Sequence, residues 1–409
     1  SVKGSLSVQG RTLSGTISNG WFGQVLLKDL NFEVSKLGLD QEVLSLDTHI
    51  NSAAQNMIEY MLQTPLRDHL KSLAKLKAKG DVGVDLQVKV PFFQGPEYIR
   101  VLGDLALQDN ALTVAFDGLN LDFSHVNGAI QFDQKGIRDS QLGVNFWKVP
   151  LKVRMRSTYE DKPALLIDAD FPVDVGTLEH QWKSPWWQLI KGRTQMQANM
   201  RITEDPDDLD RLQMRSNLQG LDIQLPPPFN KKATASSPLE LTIDFNPHQG
   251  FLLKTQWAKL LGTHLWFALK NGLVHLQKGE IRVGSTHASA QVERGVQMLG
   301  HLDNFDDRQW QSISEIAFQQ TSDASLWSNI DFVDLLVDKA HWFGQNMAKV
   351  NVKARRAQDI WNVQLKERLV RADLQWNARK NAVDLHINRL QIPQARAQRS
   401  SLYWPRLSP

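Results

Sequence analysis

The feature that most constrains this chain is a strict alternation of apolar and polar residues that returns along its whole length. The clearest run lies between Gly103 and Phe123. Leu105 and Leu107 alternate with Asp104, Ala106 and Gln108; Leu112, Val114 and Phe116 with Thr113, Ala115 and Asp117; Leu119, Leu121 and Phe123 with Asn120 and Asp122. Successive side chains of a strand point to opposite faces, so the pattern predicts antiparallel strands with one apolar face. Asp109-Asn110 is expected to turn the chain, and Gly118 to punctuate it. The eight apolar residues share one phase and are expected on one face.

The same pattern recurs at Val149, Leu151, Val153 and Met155, at Leu165, Ile167, Ala169 and Phe171, at Leu239, Leu241, Ile243 and Phe245, at Val370, Ala372, Leu374 and Trp376, and at Val383, Leu385 and Ile387. Strands are expected to end at Val90-Pro91, Val149-Pro150, Leu225-Pro226 and Ile392-Pro393, because proline cannot donate to a ladder. Helical signals are few. One helix is expected over Ser52 to Leu62. A second is expected from the Thr64-Pro65 start, through Leu66, Leu70 and Leu73, to Gly80. A third is expected near Asp306 and Trp310. No strict repeat period is present, so the reading is a loosely repeating, elongated sheet.

Composition narrows the function classes. Hydrophobic residues make up 42% and charged residues 22% of 409, enough to bury a core. A net charge of +3 argues against a dedicated nucleic-acid binder. Cysteine is absent, which excludes disulfides, thiolate metal sites and cysteine nucleophiles. The most apolar stretch, Phe251 to Leu269, is broken by Lys254, Lys259 and His264 and is no membrane span. The start at Ser1 and the Tyr403-Trp404-Pro405 ending suggest an interior piece of a longer protein.

No phosphate loop, dinucleotide fingerprint, nucleophile elbow or HExxH helix occurs, so no catalytic residue, metal ligand or cofactor is assigned. The histidines are scattered, without a pair at zinc-ligand spacing. The acidic run Glu204 to Asp210 lacks the EF-hand glycine and bidentate glutamate and reads as a solvated turn. Asp168 and Asp170 fall on the polar phase of a strand and read as a solvent face. Trp376 is in phase with Leu374 and belongs to the apolar face, whereas the Trp186-Trp187 pair is open to either a buried or a sugar-binding role. The lysines from Lys71 to Lys79 suit a helix capping the sheet better than a membrane contact.

Three stretches carry a resemblance to a known family. They are Pro65 to Gly80 with Val82 to Pro91 and Val101 to Phe132; Ser216-Asn217-Leu218-Gln219-Gly220 through Leu225-Pro226-Pro227-Pro228 to Lys231; and Trp342-Phe343-Gly344 through Asp359-Ile360-Trp361 to Ile392-Pro393. In them the chain resembles the AsmA-like superfamily, and within it the YhdP type. The second stretch is similar to that family's S-x-L-x-G-x-x-x-x-L-P-x-P-x-x-K passage. The resemblance implies a long U-shaped sheet with an apolar interior. It also implies a bridge-like protein anchored in the inner membrane of a Gram-negative cell, crossing the periplasm and moving phospholipid to the outer membrane. It carries over no catalytic residue.

The resulting expectation is an all-β, elongated and curved antiparallel sheet with a few short helices, forming a U-shaped apolar groove. Its segments are 1–50 β, 51–80 helical, 81–229 β, 230–238 a polar loop and 239–409 β. The groove is expected to be lined by Leu105, Leu107, Leu112, Val114, Phe116, Leu119, Leu121, Phe123, Val149, Leu151, Val153, Leu239, Leu241, Ile243, Leu374 and Trp376. The partners expected are phospholipid, the inner membrane through a separate anchor segment, and outer-membrane or periplasmic proteins, with no nucleic acid. Alternation alone leaves two rivals open: a scaffold with a closed core, and a glycan-binding β protein.

Overall fold

In the computed structural model, residues 3–391 are described apart from 23–24, 64–70, 117–118, 160–161, 182–183, 204, 206, 247–249, 271–272, 319–328, 343, 369 and 378–381. The elements in the first half are β1 (Lys3–Gln9), β2 (Thr12–Phe22), β3 (Val25–Ser35), β4 (Val43–Ala53), α1 (Ala54–Met61), β5 (Leu76–Lys79), β6 (Asp81–Pro91), β7 (Arg100–Phe116), β8 (Leu119–Asp133), β9 (Gly136–Ile137), β10 (Ser140–Phe146), β11 (Val149–Thr158), β12 (Ala164–Asp174), α2 (Val175–Gln181) and β13 (Ile190–Thr203). Then follow β14 (Asp210–Ser216), β15 (Leu221–Ile223), β16 (Leu239–Asn246), β17 (Gly250–Trp257), β18 (Leu261–Lys270), β19 (Leu273–Val283), β20 (Gly295–Asp306), α3 (Asp307–Phe318), β21 (Ile330–Trp342), β22 (Gln345–Ala357), β23 (Ile360–Lys366), β24 (Val370–Asn377) and β25 (Ala382–Leu390).

Together they make one open, curved sheet of 25 strands. Each strand pairs with its neighbour in sequence, with β5, β9 and β15 as short side pieces on β7, β8 and β13. The ladder is antiparallel except at β19–β20 and β20–β21, which are parallel. Parallel neighbours need a crossover, and the second crossover contains α3. Alternation reports which face a residue occupies and not strand direction, so the sequence pattern carried no sign of this segment.

The expected turn at Asp109-Asn110 is a bulge. β7 runs straight through it, and each of β7 and β8 carries one extra residue there. Asp109 and His125 take the strain, with φ of 55° and 50°, and their side chains join at 2.7 Å. The extra residue moves the apolar phase from odd positions (Leu105, Leu107) to even ones (Leu112, Val114) while both stay on one face. Asn110 is fully buried at this point. Its amide donates to the Lys79 and Asp81 carbonyls, and its side-chain oxygen accepts from the Gln108 N–H. Gly80 opposite has φ 98°, and a Cβ there would lie 2.6 Å from the Asn110 amide nitrogen.

The helix at Ala54–Met61 matches expectation, as does α3. The helix expected to run on to Gly80 does not form in its described part. Lys71–Lys75 is a 3-10 turn, and Leu76–Lys79 is β5, paired with Ala111 to Val114 of β7. Lys75, Lys77 and Lys79 already stand at a period of two, with Ala78 buried between the last two, which is strand spacing. Thr64, Pro65, Leu66 and Leu70 lie outside the described residues, as do Glu204, Phe343, Ile392-Pro393 and the Tyr403-Trp404 end. Val149-Pro150 starts a strand instead of ending one. Trp147 and Lys148, both at positive φ, make the two-residue turn before it, and Pro150 pairs with Asn145.

Asn110→Ala is expected to lower stability by about 2–3 kcal/mol, because it leaves a buried N–H and two carbonyls without their partner. Urea unfolding followed by tryptophan fluorescence measures this. A change under about 0.5 kcal/mol would mean the bulge does not depend on the amide.

Candidate functional site

The pairing registers connect one row of residues across every strand from β4 to β25 apart from the side pieces. It begins Ser52, Val82, Leu107, Gly128, Leu142, Val153. It continues Ala169, Ala198, Met214, Leu241, Thr255, Thr263, Ile281. It ends Met298, Val333, Ala354, Val363, Leu374, Leu385. Directly paired residues share a face, so this is one line perpendicular to the strands, apolar except for the hydroxyls of Ser52, Thr255 and Thr263. Its exposure changes along its length. Val82, Leu107, Leu142 and Val153 are buried, at 3–8%. From Ala169 to Leu374 the members are half-buried except Ala354, and Leu385 on the edge strand is exposed. At about 4.8 Å per strand the half-buried part runs roughly 50 Å.

Covering elements flank this line on both sides. On one side lie Leu239, Trp257, Leu261 and Val283, register neighbours of the row. Here α2 contributes Val175 to a small core with Leu218, Leu221 and Ile223. The loop after β15 inserts Phe229 between Trp257 and Trp310 of α3, at 6.0 and 6.1 Å between ring centres. The motif stretch Ser216 to Lys231 is what folds this loop. The Ser216 hydroxyl accepts from the Leu218 N–H, and Leu218 and Gly220 take positive φ. Lys231 is buried, its ammonium donating to the Leu221 and Lys232 carbonyls. Burial pushes that ammonium below the usual lysine range.

On the other side lie Leu165, Ile202, Phe245, Phe251 and Phe267, with stacked phenyl rings 4.9 Å apart at Phe251 and Phe267. The cluster there is continuous from Ile50 to Phe251 and includes Met57 of α1 and Leu73. Lys75, just before β5, reaches Asp210 at the start of β14 at 2.6 Å. From β7 through β8, β10, β11, β12 and β13 to β14 a flat sheet would span about 29 Å. The sheet is therefore rolled strongly between these strands.

The opposite face carries polar cross-strand ladders. Lys152, Asp170, Gln197, Arg215, Glu240 and Gln256 form one such row. Asp244 is nearly buried on it, between Arg211 and Lys254. Burial alone would raise its carboxyl, but hydrogen bonds from both cations outweigh that and hold it below the usual range. The acidic turn is paired off: Asp205 with Lys162, Asp208 with Arg201, Asp210 with Lys75. Among the described residues, His301, Asp303 and Asp338 form a grouping of metal-ligand type, with side chains 44%, 79% and 47% exposed. Sequence reading missed it because Asp338 arrives from the neighbouring strand. Its solvated ion pairs on the polar face are a sufficient account of it.

Phe116 and Leu119 aside, the expected lining residues fall on one face of the sheet by register, in different surroundings. Leu105, Leu107, Leu112, Val114, Leu121, Phe123, Val149, Leu151, Val153 and Ile243 belong to the large cluster that also includes Met57 of α1. Leu239 packs toward the loop after β15. Leu241 and Leu374 lie on the half-buried line, and Trp376 pairs with Trp361 beside it. The side chains of Phe116 and Leu119 lie outside the described residues. Trp187 packs into the core beneath α2. Among the described residues Trp147 is the one exposed tryptophan, at 36%. Residues that sequence reading passed over include Met214, Ile281, Met298, Val333 and Val363. They become visible only when strands are paired in register.

Compared with known proteins, the chain matches the family model described as "YhdP protein" over residues 1–407. No curated protein and no solved structure matches it.

The depressed Asp244 carboxyl stabilises the fold at pH above the unfolded value of about 4, and that contribution is lost as pH falls through the lower folded value. Asp244→Asn is therefore expected to cost about 1–3 kcal/mol at pH 7 and progressively less as pH falls below about 4. Thermal unfolding across pH 3–7 measures the difference. An equal cost at both ends would show that the two cations do not set this carboxyl.

Proposed function

Because the chain belongs to the YhdP family, we propose that it is a non-enzymatic segment of an envelope protein whose apolar face carries phospholipid acyl chains between the inner and outer membranes of a Gram-negative cell. The periplasm is its place in this reading, with the inner-membrane anchor supplied elsewhere. The observation that carries the reading is the half-buried apolar line from Ala169 to Leu374, flanked on both sides by covered rows. A closed core would bury such a line. A glycan surface would instead display aromatic faces, which the described tryptophans largely do not.

The physical chemistry suits this task. Sheltering an acyl chain is worth about 0.8 kcal/mol per CH₂ removed from water. The members of the line are paired at even spacing, so a methylene leaving one side chain meets the next. Movement within the line then crosses small barriers and needs no chemical step. Headgroups need no pocket if they stay at the solvent margin, and the polar ladders keep the other face hydrated.

The test compares lining with packed interior. Met214→Asp or Leu241→Asp, at half-buried positions, is expected to leave folding nearly intact, within about 1–2 kcal/mol, and to abolish lipid capture. Ile202→Asp, at a fully buried position, is expected to cost several kcal/mol or prevent folding. The capture assay uses a photoreactive residue at position 241 in the full-length protein in cells, with mass spectrometry of the adducts. No phospholipid adduct at 241 in the otherwise unaltered protein would remove the transport reading and favour a scaffold.

A further inference from the structure

The half-buried part of the line carries hydroxyls at one place. Thr255 of β17 and Thr263 of β18 are direct cross-strand partners, set between Leu241 and Ile281 in the row. On the same face, Leu253 and Leu265 stand to one side of them and Trp257 and Leu261 to the other. Resting on the transport reading above, we propose that these two hydroxyls form a specificity site, which donates hydrogen bonds to the ester carbonyls of a diacyl phospholipid lying on the line.

Neither hydroxyl is used by the fold. Among the described residues, the Thr263 oxygen is buried without a hydrogen-bond partner, and the Thr255 oxygen is not buried and has none either. Hydroxyls that face each other across strands commonly satisfy one another. Elsewhere in this sheet threonines find such partners. Ser5 meets Thr16 at 2.8 Å and Thr113 meets Asp122 at 2.6 Å, both as direct cross-strand pairs. The Trp257 indole N–H, in the adjoining row, is already given to the Ser237 hydroxyl. Ladders on both sides occupy the backbone of β17 and β18. Valine suits a strand as well as threonine does, so packing alone gives no reason for a hydroxyl here. Left without a partner, a buried hydroxyl is a cost to the folded protein, and a ligand that accepts its hydrogen bond removes that cost.

The ligand group must accept a hydrogen bond and belong to a molecule that is otherwise apolar over these side chains. The alkyl part of an acyl chain has no acceptor. Its ester carbonyl is the first acceptor along the chain, and it joins the chain to a headgroup that stays at the solvent margin. Thr255 offers its oxygen to the line directly. Thr263 is half-buried, and one staggered step about χ1 exchanges its methyl and hydroxyl. In a path that is otherwise evenly apolar, the pair gives a lipid one preferred resting place, with its esters over β17 and β18. It also separates ester-linked from ether-linked chains, because a ligand without the carbonyl leaves the hydroxyls unpaired.

The experiment incubates the purified full-length protein with vesicles holding equal amounts of diacyl phosphatidylethanolamine and its dialkyl ether analogue, matched in chain length. Bound lipid is extracted and identified by mass spectrometry, and hydrogen exchange of β17 and β18 is followed in parallel. The parent is expected to take up the ester about fivefold over the ether, a ratio equivalent to roughly 1 kcal/mol. Thr255→Val with Thr263→Val is expected to lose that preference through lower ester uptake, with ether uptake unchanged. Exchange in β17 and β18 should then be unchanged or slower. Thr255→Ser with Thr263→Ser, which keeps both hydroxyls, is expected to keep the preference. Equal uptake of the two lipids by the parent overturns the site, and so does a preference that survives the double valine variant or is lost in the serine one. Faster exchange in β17 and β18 of the valine variant also overturns it, because the hydroxyls would then belong to the fold. No uptake of either lipid by the parent removes the transport reading itself, and the site with it, so the two failures are told apart.

Discussion

Everything in this molecule depends on register. The backbone ladder fixes which residues stand side by side, and a slip of one residue would turn a strand's apolar set to the polar face. In a two-layered protein the second layer checks such errors. Here the line from Ala169 to Leu374 is only half-buried apart from Ala354, so the ladders and turns carry more of that task. Where strands gain a residue, the gain is matched: β7 and β8 bulge together at Asp109-Asn110 and His125, and Leu112 again meets Phe123 as Leu107 meets Gly128. The shift between β8 and β10 near Ser124 then absorbs the same extra residue, so Leu142, Val144 and Phe146 keep an unbroken phase.

This dependence explains what the sequence disclosed and what it hid. Face assignment was legible because it needs only a period of two; Val149 to Met155 or Leu239 to Phe245 can be read one strand at a time. The Asp109-Asn110 site misled because a bulge and a turn use the same residue types, those that tolerate positive φ. The Lys71 to Lys79 stretch misled for a related reason. Leucines at helical spacing upstream suggested a helix, while Leu76 and Ala78 obeyed the strand period. Strand direction at β19 to β21, the pairing of Lys75 with Asp210 and the cluster at His301 all join residues far apart in the chain. No local pattern encodes those contacts. The lining candidates Met214, Ile281 and Val333 were passed over because each sits in a short or irregular run. Their strength as a line comes from neighbours on other strands.

The two faces also divide the energetic labour. On the polar face, ion pairs such as Arg215–Glu240 are exposed and contribute little each. Their larger effect is to oppose pairing the sheet with the wrong face, since burying Lys152, Asp170 or Arg215 unpaired would cost far more than the pairs return. Asp244 is the deep member of this set, and it tolerates near-complete burial because two cations meet it.

An apolar groove has an inherent tendency to close, because each Å² of exposed apolar surface costs about 25 cal/mol in water. Here material is packed at both margins of the apolar face. Phe229 and Trp310 wedge one side and are fixed from behind by Trp257, Phe305 and the buried Lys231 loop. Met57 and Leu73 stand on the other. Where the second set is tied across to Asp210, the side chains beneath reach 0–8% exposure and the sheet has in effect closed. From β12 to β24 the line stays half-buried apart from Ala354. One sheet thus holds both answers to the same free-energy problem, and the change from one to the other falls between Val153 of β11 and Ala169 of β12.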